Sequence, residues 1–126
     1  MSDTKNSAVL SALQDAVKGL LYVSETEAAL EPFVWDEAGD IRRDRLLARA
    51  SAAKGTAVEE STLDNLFRTV PSEDRPKFDR LAKVFEKELA GVKVYKIGDE
   101  AEKLVYVVGR TSDGRWAGVK TAVVET

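Results

Sequence analysis

Chemistry in this chain has to come from Asp, Glu, Ser, Thr, Lys, Arg and Tyr, because its 126 residues include no histidine and no cysteine. Imidazole proton transfer, histidine or thiolate metal sites, thiol nucleophiles and disulfides are thereby excluded. Carboxylates are plentiful, with 22 Asp and Glu against 19 Lys and Arg, for a net charge of −3. Two acids flanking a glycosidic bond would be one use of such groups, but no pair stands out by spacing. Asp36-Glu37-Ala38-Gly39-Asp40 lacks the alternating ligands and terminal Glu of a calcium loop and reads as a turn. Gly109-Arg110-Thr111-Ser112-Asp113-Gly114 joins strand to strand. It has no helix N-terminus to hold phosphate, so it reads as a hairpin turn.

Two places hold more interest. Ser24-Glu25-Thr26-Glu27 admits two readings. In one, Ser24 and Glu27 satisfy each other's backbone donors in a capping box. In the other, the segment is a projecting acidic loop that presents Glu25 to a cationic site. The second place is the terminus, Val123-Val124-Glu125-Thr126. A last strand running almost to the end would hold Thr126, whose carboxylate and hydroxyl, beside the Glu125 side chain, are hard oxygen ligands suited to Mg²⁺. They also resemble a phosphate in charge and reach. Arg42, Arg43 and Arg45 form a small basic cluster with Asp40 and Asp44 close by, the pattern of a solvated helix face. The acidic balance argues against a broad nucleic-acid footprint and fits a partner with a positive surface.

The elements that position these groups follow from periodicity. Val9, Leu10, Leu13, Val17, Leu20 and Leu21 recur at helical spacing, with Asn6 or Ser7 as cap and Gly19 near the end. Tyr22 to Glu27 is polar and acidic. Pro32-Phe33-Val34-Trp35 reads as a short strand that turns at Gly39. Ile41 to Ala53 predicts a helix capped by Asp40 and broken by Gly55. A short strand over Thr56 to Glu59 and a short helix opened by Ser61 or Thr62 follow. Pro76 fits a first helical turn. Phe78, Leu81, Ala82, Phe85 and Leu89 form a clean apolar stripe, ended by Gly91. The last third changes to strands over Val92–Ile97, Leu104–Gly109 and Trp116–Val124, joined by links too short for parallel crossovers. The expectation is one α+β domain over residues 1–126. With 44% hydrophobic and 33% charged residues, it has an ordinary globular composition. No run is long enough to span a membrane, and the N-terminus lacks an export signal, so a cytoplasmic location is expected.

Gly19-Leu20-Leu21-Tyr22-Val23-Ser24-Glu25-Thr26-Glu27, followed by Pro32-Phe33-Val34-Trp35, resembles the N-terminal signature of the nuclease A inhibitor family. Val94-Tyr95-Lys96-Ile97-Gly98, Val105-Tyr106-Val107-Val108-Gly109, Ala117-Gly118-Val119 and the final Val-Val-Glu-Thr resemble its closing strands. The resemblance implies a three-layer α/β/α sandwich with a mostly antiparallel sheet. It also implies a non-enzymatic inhibitor, without a cofactor or metal of its own, that plugs the active site of a sugar-nonspecific, magnesium-dependent nuclease. Carried over by position, the loop contact falls on Glu25, with Ser24 and Glu27 shaping the loop. The approach to the nuclease-bound metal falls on Thr126, with Glu125 beside it. A further acidic contact, from the loop before the long helix, falls on Glu73 or Asp74. The family has a longer, aromatic-containing stretch there and a different segment after Glu27. These departures keep open a scaffold relative that binds another protein. A small hydrolase using a carboxylate pair is the third alternative.

Overall fold

The computed structural model describes residues 2–23 and 27–124, with side chains described from Ala8 onward. Helix α1, Ser2–Val17, buries Val9, Leu13 and Val17 on one stripe. It already runs at Asn6 and Ser7, so neither is its cap. Gly19 adopts φ +76° and Leu20 N–H donates to the Val17 carbonyl at 2.9 Å, an αL ending of the kind glycine permits. Leu21 therefore does not continue the helical stripe. It begins strand β1, Leu21–Val23, which pairs antiparallel with β2, Glu27–Ala29. Because Glu27 opens a strand and no helix follows, the capping-box reading of Ser24 and Glu27 is overturned.

Strand β3, Glu31–Ala38, is longer than the predicted Pro32–Trp35 segment. Helix α2 spans only Arg43–Arg49, not Ile41 to Ala53, and its cap position is Arg42 without a side-chain cap bond. Asp40 instead accepts from Arg110 at 3.3 Å. Strand β4 is Val58–Ser61, and α3 is Leu63–Phe67, where Thr62 Oγ1 accepts from Asn65 N–H at 3.1 Å as a true cap. Helix α4, Arg75–Glu88, carries Pro76 in its first turn and ends at Leu89, before Gly91. Strands β5, Ala90–Ile97, β6, Glu102–Arg110, and β7, Arg115–Val124, complete the chain. Gly91, at φ +64°, sits where the β5–β6 register slips between Ala90 and Lys93. It is a bulge residue and not a helix terminator.

Among the described residues, five strands form one antiparallel sheet in the order β3-β7-β6-β5-β4. The predicted meander is its centre, and two strands from distant parts of the chain close its edges. Strand alternation sends residues of β6 to opposite faces. Val105 and Val107 join a core with α1, α3 and α4 that holds Leu13, Phe78, Leu81 and Phe85, all at most 1% exposed. Tyr106 and Val108 join a second core with Leu46, Leu47, Ile97 and Trp116. Burying each such large apolar side chain contributes about 1.5–3 kcal/mol, so both sheet faces are needed for stability.

Candidate functional site

Of the predicted site residues, Glu27, Glu73 and Asp74 lie among the described residues. Ser24, Glu25, Glu125 and Thr126 lie outside them. Glu27 is exposed and pairs across the ribbon with Val23, so β1 and β2 flank the Ser24–Thr26 connection directly. Both ribbon strands pack against β7, the strand that leads to the terminus. The topology accounts for this. Glu31 pairs with Lys120, and β7 runs on past that point to Val124 while the chain before Glu31 folds back as β2.

A single side chain ties the ribbon to the third predicted locus. Tyr22 alternates inward, is 5% exposed, and donates its hydroxyl to the Leu66 carbonyl at 2.7 Å. Its ring meets Phe78 edge-on at 6.4 Å. Phe78 lies in the first turn of α4 and also contacts Phe67 at 5.1 Å. The Ser72–Asp74 turn enters that helix, with Asp74 N–H donating to the Pro71 carbonyl at 2.9 Å. Glu73 is exposed and Asp74 is half-buried. The Asp74 carboxylate does not cap the helix. Among the described residues no ion pair or side-chain hydrogen bond occupies the carboxylates of Glu27, Glu73 or Asp74. The described strands β1 and β2 thus pack against β7, and Tyr22 links β1 to the start of α4.

Sequence reasoning missed Tyr22, Leu21 and Val23. Their i, i+2 alternation is the signal, but three residues are too few to separate a strand from a helix end. Elsewhere, the chemistry is structural. Arg49 grips both carboxylate oxygens of Glu37, at 2.6 and 2.9 Å, and stacks over Trp35 at 4.9 Å. That hydrogen bond holds the Glu37 carboxyl below its ordinary pKa. The Thr111 hydroxyl donates to Asp113, which likewise lowers that carboxyl's pKa within the β6–β7 turn. Among the described residues no helix is long and apolar enough to cross a membrane.

This arrangement gives an α+β domain in which a short two-stranded ribbon packs against β7 and is linked through Tyr22 to the start of α4. The sequence matches the family model for nuclease A inhibitor-like proteins over residues 7–126. The chain belongs to the nuclease A inhibitor-like family. A comparison with curated proteins gives no match.

Proposed function

We propose that this protein, acting as one domain, inhibits a nonspecific magnesium-dependent nuclease by inserting acidic groups into its active site, and that it is not itself an enzyme. The observation that supports this reading is that the β1–β2 ribbon packs against β7 and is joined through Tyr22 to the α4 entrance. A nuclease site binds phosphodiester oxygens with cations and a divalent metal. A protein occupying it should present carboxylates on a rigid frame, because pre-ordering lowers the entropy lost on binding. Glu25 would engage a basic group beside the scissile phosphate, with Ser24 and Glu27 shaping its loop. Thr126, with Glu125 beside it, would approach the nuclease-bound metal. Glu73 or Asp74 would add an acidic contact from the helix entrance. The protein needs no cofactor, contacts no nucleic acid itself and acts in the cytoplasm.

The test is titration into a magnesium-dependent nonspecific nuclease from the same source, following DNA hydrolysis. The expected result is stoichiometric loss of activity. Glu25→Ala and deletion of Thr126 should each weaken inhibition by about 2–5 kcal/mol, the cost of stranding one partner of a buried charged contact. Full inhibition by both variants would overturn the site assignment. No inhibition by the folded wild-type protein would favour the other reading, a scaffold relative with a different protein partner. The tight Pro71–Arg75 connection is the observation behind that second reading.

A further inference from the structure

Among the described residues, the large hydrophobic side chains left exposed are Leu21, at 44%, and Val23, at 37%. They stand on the same face of β1, on either side of Tyr22, which points into the core. Cross-strand pairing sets Leu21 opposite Ala29 and Val23 opposite Glu27, so the outward face of the ribbon is Leu, Val and Ala with one acid. An outward face in a two-layered ribbon should be polar, because alternation places the apolar residues inward. Here the inward position is filled by Tyr22 and the outward ones are also apolar. Two scattered exposed hydrophobics would mean nothing, but these share one face of β1, and Val23 stands opposite the exposed Glu27.

We infer that this outward face, built on Leu21 and Val23, is an apolar contact surface that seats on a nonpolar rim beside the cationic active-site groove of the nuclease partner. The inference rests on the nuclease reading above and specifies how the partner is gripped. Protein interfaces place apolar side chains at a desolvated centre, with charged groups around them. The ribbon has that layout among its described residues, with Glu27 beside Leu21, Val23 and Ala29 on the outward face. Charge complementarity selects the occupant. A second copy would bring Glu27 against its own net-negative counterpart, whereas a nuclease groove must be positive to hold phosphates. The Tyr22 hydroxyl bond to Leu66 and its ring contact with Phe78 fix the ribbon before binding, so little order is lost when it docks.

The apolar grip and the acidic plug make different predictions for salt. Leu21→Ser with Val23→Thr removes apolar surface at positions that are partly exposed, so the double variant should stay folded with a modest fall in melting temperature. Its dissociation from the magnesium-dependent nuclease should be at least about tenfold faster, by the same factor at low and high salt. The effect of Glu25→Ala should shrink as salt rises. If the wild type inhibits and the double variant inhibits equally well, the apolar grip is wrong while the nuclease reading stands. If the wild type does not inhibit at all, both fall. Sedimentation showing a dimer that the double variant abolishes would assign the face to a second copy and overturn the inference.

Discussion

The two ends of the sheet differ in how their polar groups are used. At the β6–β7 turn, polar groups are spent on one another. Thr111 N–H donates to the Arg115 carbonyl at 2.8 Å, Gly114 N–H to Thr111 at 2.9 Å, and Gly39 N–H to Gly114 at 3.0 Å. Trp116 Nε1–H donates to the Gly39 carbonyl at 2.9 Å. Arg110 and Arg115 reach Asp40 and Asp36. At the ribbon end, Leu21 and Val23 face water and the carboxylates of Glu27, Glu73 and Asp74 are held by nothing described. An end whose hydrogen bonds close on themselves contributes stability. An end that leaves apolar and acidic groups unmatched is suited to recognition, because those groups gain most when a partner covers them.

Trp116, 1% exposed, holds the closed end through its bond to the Gly39 carbonyl. Trp116→Ala should destabilise folding by about 3–5 kcal/mol through the cavity it leaves, and should also strand the Gly39 carbonyl. Denaturant unfolding measures that loss. Nuclease inhibition per folded molecule should stay at the wild-type value. Weakened inhibition after correction for the folded fraction would show that the closed end also reaches the partner.

Tyr22 sharpens the contrast because it lies at the ribbon end yet bonds its hydroxyl within the chain. Tyr22→Phe keeps the ring on Phe78 but leaves the Leu66 carbonyl without its partner, a cost of about 1–2 kcal/mol. Stability should fall by that amount, and inhibition should weaken as well, because the ribbon loses its fixed orientation. A stability change with unaltered inhibition would mean the ribbon's orientation does not matter for binding.

How much of this was legible in the sequence depends on the length of each element. The α4 stripe from Phe78 to Leu89 and the three closing strands are long enough for their periods to be read, and both match the structure. The ribbon was not legible. Its strands have three residues each, Leu21 fell in step with the helical pattern before it, and acidic residues masked the alternation. Helix α2 was over-extended because Arg, Leu and Ala propensity continues past the point where Ser51, at φ +55°, turns the chain. Gly91 looked like a helix stop, since local composition does not distinguish a C-cap from a bulge. The approach of the ribbon to β7 depends on β3 pairing with β7 across most of the chain. No local spacing encodes that pairing. The family resemblance named the loci, and the fold shows only the ribbon against β7 and its link through Tyr22 to α4.

The smallest effect concerns acid. Glu37 lies toward the closed end of β3, gripped by Arg49, and its carboxyl is held below the ordinary value of 4.5 by that hydrogen bond. A depressed carboxyl stabilises the fold above its unfolded pKa, and the contribution disappears as pH falls through the folded value. Wild type should therefore lose stability below about pH 4.5 more steeply than Glu37→Gln, and the two curves should converge once Glu37 is protonated in both states. The Arg49 side chain is 38% exposed, so solvent screening limits the difference near neutral pH to about 1 kcal/mol or less. Parallel acid-unfolding curves would show that the pair adds nothing. Inhibition at neutral pH should be the same for both proteins, because neither member of the pair belongs to the ribbon end. A Glu37→Gln variant that unfolds normally but inhibits poorly would place the binding surface on the α2 face and remove the division between the two ends.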